Sequence, residues 1–317
     1  MEKSKKIPAT VILGQTASGK SALAMGLCEK FDGEIISADS MQVYRRMDIG
    51  TAKPSIEDQK RIRHHLINIC EITEKFSAAD FIFKAKQAIF DINSRQKQAF
   101  IVGGTGLYTD MLFNSSCIDK IKSDETIRNR LNEKAQTEGN DSLYEYLKII
   151  DPIAAQKVHP NNLKRVIRYI EIFLTTGLTP TEAAQRNNDF ESEFLPLFIC
   201  LSSSDKEPLY ARINDRVDEM LKKGLESEAK SLWLDGIANT PTASQAIGYK
   251  EFFPYFSGLC SLDESVSKIK QSSRNYAKRQ LTYFKKLKNV NYIDISGNVQ
   301  NESENLIYNN IADIKRR

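Results

Sequence analysis

The sequence predicts an α/β fold, a parallel sheet core interrupted by an inserted all-α domain. Three observations predict it. In the N-terminal third, short apolar runs alternate with longer amphipathic stretches, the pattern of strands and crossover helices in a parallel sheet. From about Ile118 the strand character stops and helical stretches follow one another. It returns at residues 194–201, so the helical block is read as an insertion between two strands of one sheet.

The elements follow in order. Residues 7–13 read as a strand, 20–30 as a helix and 34–38 as a second strand. Residues 77–93 carry Phe81, Ala85, Ala88, Ile89 and Ile92 at close to a helical period, and 99–102 are a short buried strand. In the insertion, helices are expected at 123–136, 142–150, 152–158, 163–176 and 180–186. Asp151-Pro152 is a cap followed by proline at the first helical position. Thr179 to Glu182 form a capping box and Gly177 fits a C-terminal cap. The expected domains are a core of residues 1–117 and 194–317 and a helical insertion of 118–193, with 187–193 as the second hinge. Beyond Asp205 the chain is mostly helical. Ser261 and Glu264 box the start of a helix running to about Leu287, 291–295 is a last strand, and the closing Lys-Arg-Arg is a solvated end.

Composition narrows the class. At about 150 residues per domain, 317 residues suggest two domains. Hydrophobic residues at 41% exclude a disordered chain, and a net charge of +4 does not by itself single out a nucleic-acid binder. The longest apolar runs fall far short of the roughly 18 residues a membrane helix needs. The basic start is followed by an apolar run that leads into Gly14 without a cleavage site, so that run is a core strand and not a signal peptide. Cys28, Cys70, Cys117, Cys200 and Cys260 are scattered and form no C-x-x-C pair, which argues against a disulfide framework or a zinc site and for buried thiols in a reducing cytoplasm. His64, His65 and His159 lie at no metal-ligand spacing.

Gly14-Gln15-Thr16-Ala17-Ser18-Gly19-Lys20-Ser21 matches G-x-x-x-x-G-K-[ST] between a strand and a helix, which makes the core P-loop NTPase-like. Backbone N–H groups and the helix start would cradle a phosphate, Lys20 would place a charge on it, and the Ser21 hydroxyl is a candidate Mg²⁺ ligand. Such loops commonly serve phosphoryl transfer, which needs a metal-holding acid after a neighbouring strand. Here strand 99–102 runs into Gly103-Gly104-Thr105-Gly106, with no acid. Asp39 instead follows the second strand, at the edge where α/β sheets bind ligands. It reads equally as a general base facing an acceptor or as a turn cap. Residues 267–289 carry eight lysines and arginines, Lys270, Arg274 and Lys278 on one helical face among them, with no acid and with Tyr276 and Tyr283 interleaved. That favours a polyanion contact over a merely solvated face. Lys164, Arg165 and Arg168 form a second basic stretch, for which the two readings stand level.

Together these features resemble the tRNA dimethylallyltransferases (tRNA isopentenyltransferases). The match adds Asp39-Ser40-Met41-Gln42-Val43-Tyr44, Asp48-Ile49-Gly50-Thr51-Ala52-Lys53-Pro54 and His64-His65-Leu66. It continues with Gly103-Gly104-Thr105-Gly106-Leu107-Tyr108, His159-Pro160-Asn161, Gly177, Ala246-Ile247-Gly248-Tyr249-Lys250-Glu251 and Tyr276-Ala277-Lys278-Arg279-Gln280. The resemblance implies transfer of a dimethylallyl group from dimethylallyl diphosphate to the exocyclic amine of the adenosine just 3′ of the anticodon, with Mg²⁺ as cofactor. Asp39 would accept the amine proton. Thr16, Lys20 and the rest of the loop would hold the diphosphate, with Arg216 as a further clamp. The flipped base would meet Asp39, Ser40, Met41 and Gln42. Thr105, Arg128 and the stretch Lys164, Arg165, Val166, Ile167, Arg168 would contact tRNA, and the helical insertion would grip the anticodon stem-loop. The partners expected are tRNA and dimethylallyl diphosphate, without a membrane, for a monomeric cytoplasmic enzyme of bacterial type.

The chain departs from the family pattern at Gln15, Asn68, Leu163, Tyr169 and Tyr283. Competing readings are an adenylate dimethylallyltransferase, a small-molecule kinase and a non-catalytic RNA-binding protein. The helical insertion opposes the first, the glycine-rich Gly103–Gly106 turn the second, and the intact Lys20, Ser21 and Asp39 the third.

Overall fold

The computed structural model describes residues 6–114, 121, 123–185, 193–203 and 205–316. Cys117, Ile118, Arg186, the hinge stretch 187–192 and the terminal Arg317 lie outside them. The chain divides into two compact units, Met1–Phe113 with Glu193–Arg317, and Asn114–Ser192.

The first unit is built on six parallel strands in the order β3-β2-β4-β1-β5-β6. They are β1 (Ile7–Gly14), β2 (Gly33–Ser37), β3 (His64–His65), β4 (Gln98–Gly103), β5 (Phe194–Ser202) and β6 (Val290–Asp294). Both faces of the sheet are covered, which is why its strands read as near-continuous apolar runs. Val11 and Leu13 point into one core, with Phe81, Ala85 and Ile89 of the Ala78–Ser94 helix. Ile12 points into the other, with Leu23 and Leu27 of the Lys20–Lys30 helix.

Several helix bounds match the sequence reading because their caps are explicit. Ser77 accepts from the Asp80 N–H, and Ser261 from the Glu264 N–H, each in a full capping box. The latter helix ends at Phe284, short of the expected Leu287. Elements not anticipated include the Ile56–Arg61 helix, the two-residue β3, the Gly106–Asn114 helix and the closing Val299–Arg316 helix. In that last helix Asn301, Asn305, Asn309 and Asn310 weaken helix propensity, so the sequence signal is faint. It is held from outside, by Ile307 in the core and Glu304 paired with Lys30. The free thiols of Cys28, Cys70 and Cys200 are buried, while Cys260 is half-buried.

In the second unit Leu131, Leu143, Leu147, Val166 and Ile170 share one core. Asp151 accepts from the Ala154 N–H, Thr179 and Glu182 close their capping box, and Gly177 ends the Leu163–Thr176 helix at φ 71°. Among the described residues no helix is long and apolar enough to cross a membrane.

Candidate active site

The strand order sets the site. β4 lies between β1 and β2, so the loop after β1 and Asp39 after β2 flank the end of β4. Small residues there keep the gap open. A side chain on Gly103 would meet the Ala38 carbonyl at 2.1 Å, and one on Gly104 would meet the Gln280 amide at 2.0 Å. A metal-binding acid at position 104 is therefore sterically excluded while Gln280 stays in place.

The phosphate-type loop is preorganised. Ala17 sits at φ 62° and Gly19 at φ 88°, and the Ser18 N–H donates to the Gln15 carbonyl (3.2 Å). Gln280 Oε1 accepts from the Thr16 N–H (2.9 Å), and its amide donates to the Gly104 carbonyl (3.0 Å). Gln15, the departure in the loop, donates its side-chain amide to the Ala277 carbonyl (3.1 Å). The loop is thus tied to the Leu262–Phe284 helix at two points.

A cavity of about 760 Å³ opens at this edge, lined by Thr16, Lys20, Ser21, Asp39, Gln42, Arg216 and Tyr276 among others. Burial and the nearby Arg216 cation push Lys20 down to about 8, against the pull of Asp39. Burial also lowers Arg216, again opposed by Asp39. Lys20 and Arg216 are two desolvated cations that both feel the Asp39 carboxylate, and an anion beside them would offset the cost of burying their charge. Burial pushes the Tyr276 phenol up to about 12, with the Asp39 charge adding to it.

Asp39 satisfies both sequence readings at once. Its Oδ1 caps the turn by accepting from the Met41 N–H (2.8 Å) and the Gln42 N–H (3.3 Å), and Oδ2 accepts no hydrogen bond among the described residues. Gln42 is fully engaged: Ser37 donates to its Oε1 (2.8 Å), and its amide donates to the Thr51 carbonyl (3.1 Å). Asn68, at φ 54°, accepts from Lys53 Nζ (2.6 Å), so the amide fills this place without adding a charge. Tyr283 donates to Asp110 (2.9 Å), and its ring leaves no room for a side chain on Gly106.

Comparison with known proteins settles the family. The family model described as IPP transferase matches residues 42–287. The chain belongs to the IPP transferase family. It is 44% identical over 294 residues to tRNA dimethylallyltransferase 2 of Geotalea daltonii, covering 93% of this chain and 90% of that protein. It is 45% identical over 281 residues to the tRNA dimethylallyltransferase of a Thermoanaerobacter species, covering 88% and 89%. The crystal structure of the full-length tRNA isopentenylpyrophosphate transferase of Bacillus halodurans matches with TM-score 0.70 and 40% identity, covering 98% of this chain and 97% of that one. A eukaryotic dimethylallyltransferase, described as acting on tRNA, matches with TM-score 0.84 and 32% identity, covering 98% and 80%.

Other sequence-predicted residues of this IPP transferase fall in different settings. Ser40 and Met41 line the cavity, and the Thr105 N–H donates to the Ala38 carbonyl (3.3 Å). Lys164 and Arg165 are exposed, with the Arg165 guanidinium over the Tyr169 ring. Val166 and Ile167, expected at RNA, are instead 0% and 5% exposed. They belong to the helical core because a helix shows only one face outward, and the basic one is taken by Lys164, Arg165 and Arg168. Arg128 and Arg168 both pair with the buried Glu171 (3.0 and 2.8 Å). The basic helix also needs correcting: its charges are not unopposed. Lys270 pairs with Asp218 (2.7 Å), Arg274 donates to Asn214 (2.6 Å), and Lys278 lies over the Tyr210 ring. The shared face turns toward the Lys206–Lys222 helix, and only Lys278 of the three is exposed. Sequence reasoning missed the bridging role of Gln280; its signal was an amide on the buried stripe with Ile269 and Ala277.

Proposed function

We propose that this chain is a tRNA dimethylallyltransferase, moving a dimethylallyl group from dimethylallyl diphosphate to the exocyclic N6 amine of the adenosine 3′ of the anticodon. The observation that carries this reading is the cavity holding Lys20 and Arg216 opposite Asp39, without an acid after β4. A leaving diphosphate needs the cations, and an amine nucleophile needs the carboxylate.

The adenosine leaves the loop stack to enter the cavity. As the amine nitrogen forms its bond to the allylic carbon, the C–O bond breaks and its electron pair leaves with the diphosphate. Lys20, Arg216 and the loop N–H groups meet that charge. Asp39 takes the proton lost by the amine. The Thr16 N–H already serves Gln280 and the Ser18 N–H the Gln15 carbonyl, so the loop's other N–H groups face the diphosphate, and Thr16 contributes through its hydroxyl.

The residues present suit Mg²⁺ held lightly. Ser21 offers a hard oxygen in the cavity, and no group of three or more His, Cys, Asp or Glu side chains able to hold a metal occurs among the described residues. Ser21 would hold such an ion together with the diphosphate and water. When bound, it supplies charge neutralisation for the leaving group. In this reading the helical unit, with Lys164, Arg165, Arg128 and Arg168, binds the anticodon stem-loop, and the enzyme acts as a cytoplasmic monomer.

The test is incubation with dimethylallyl diphosphate, Mg²⁺ and either an anticodon stem-loop or AMP, with mass spectrometry of the nucleosides. Prenylated adenosine from the stem-loop alone is expected. Equal prenylation of AMP would overturn the tRNA acceptor, and ATP turnover without donor would point to a kinase.

A further inference from the structure

The loop 48–52 forms one wall of the cavity, through Gly50, Thr51 and Ala52. Its outer side is gripped by one carboxylate. Glu228, on the Leu225–Leu234 helix, accepts from the N–H groups of Asp48 (3.1 Å), Ile49 (2.9 Å) and Gly50 (3.1 Å). The Tyr249 hydroxyl donates to the same carboxylate (2.6 Å). Three successive backbone donors converging on one anion form a nest, here filled by the protein itself. Glu228 is not among the residues that line the cavity.

What this loop holds matters for the chemistry. The Thr51 carbonyl receives the Gln42 amide (3.1 Å) and the Ala52 carbonyl receives it more weakly (3.4 Å). The Gln42 and Met41 N–H groups then fix Asp39 Oδ1. Tyr249 supports the arrangement sterically, since any side chain on Gly50 would meet its ring at 2.5 Å. The path from Glu228 to Asp39 therefore runs through one loop and one glutamine, by hydrogen bonds of 2.9–3.1 Å at the loop and 2.8–3.3 Å at Asp39.

We infer that Glu228 is a positioning residue for the acceptor half of the site, holding the 48–52 wall so that Gln42 and Asp39 stay aimed at the incoming amine. The inference rests on the reading of Asp39 as the base. It separates the two halves of the cavity: the diphosphate loop is tied to Gln280 and Ala277, and the acceptor wall to Glu228 and Tyr249.

The test measures single-turnover transfer to a stem-loop, pyrophosphate affinity and melting temperature for Glu228→Ala and the isosteric Glu228→Gln. A misplaced catalytic group costs up to about 10²-fold in rate. Glu228→Ala is expected to slow transfer by about that factor, with pyrophosphate affinity within twofold of wild type. Glu228→Gln, which keeps one acceptor oxygen, should slow it less and melt near the wild type, so it carries the test if the alanine variant does not fold. In a cycle with Gln42→Ala, the double variant should be little slower than the slower single, because both act on one path. Wild-type turnover in Glu228→Gln, or additive losses in the cycle, would overturn the inference. Asp39→Asn reports separately on the base: if it is inactive while Glu228→Gln is unimpaired, only the positioning role fails. If it runs at full rate, the base assignment fails.

Discussion

Gln280 and Thr16 are joined across most of the sequence by a 2.9 Å hydrogen bond, the glutamine carbonyl oxygen accepting from the loop N–H. The other end of the same amide donates to Gly104, so one buried side chain fastens the phosphate-type loop to the end of β4. With Gln280 in this place, a side chain on Gly104 would meet its amide at 2.0 Å, so neither a larger residue nor an acid fits there unless the glutamine moves.

Gln280→Ala should weaken pyrophosphate binding about tenfold, in keeping with about 1.4 kcal/mol for buried donors and acceptors left unmet. Gln280→Glu should be worse, because a carboxylate cannot donate to the Gly104 carbonyl and repels the diphosphate. Titration calorimetry with pyrophosphate checks both. Wild-type affinity in either variant would show that the loop holds its shape unaided.

Donor binding should weaken as pH rises through about 8, where Lys20 loses its proton in the empty site. The sign follows from the lowered value: the cation that the anion needs is present below that pH and disappears above it, and bound diphosphate shifts the loss upward. A pH profile of kcat/KM for dimethylallyl diphosphate checks this. An alkaline limb that persists in Lys20→Arg would assign the titration to another group.

Glu171→Ala should destabilise the helical unit by about 1–3 kcal/mol, because it removes the buried acceptor shared by Arg128 and Arg168, whose partly exposed guanidiniums water can still solvate. Its oxygen also accepts from the Asp124 N–H (2.6 Å), which anchors the start of the Glu125–Glu138 helix. Denaturant melts of the full chain, followed with a probe in this unit, would show the loss. An unchanged transition would mean that the ion cluster is dispensable.

Lys278→Ala should raise the stem-loop KM and flatten its salt dependence. The slope in log K against log[salt] should change by up to about 0.9 for each phosphate that the side chain neutralises. Lys270→Ala should do so less, since Lys270 is already neutralised by Asp218. KM measured at two salt concentrations separates them. Equal effects would return Lys270 to the RNA.

Local patterns made much of this structure legible in the sequence. The phosphate-type loop and its flanking strand and helix could be read because the motif needs both neighbours, and Asp39 because it ends an apolar strand. Ser261 and Thr179 marked helix starts by short-range chemistry, as did Asp151 before Pro152. Roles that depend on distant partners could not be read. Nothing near Glu228 in the chain indicates that it holds Asp48, Ile49 and Gly50. The stripe of Lys270, Arg274 and Lys278 looked free because Asp218 and Asn214 lie on another helix. Val166 and Ile167 lie between basic neighbours in the sequence, but helical periodicity turns them inward.

The most direct test is single-turnover transfer by Asp39→Asn, with saturating dimethylallyl diphosphate and an anticodon stem-loop. If Asp39 accepts the amine proton, the rate falls by about 10²- to 10⁴-fold while stem-loop affinity stays within a few-fold. Transfer at the wild-type rate would contradict the account, leaving Asp39 as a turn cap only.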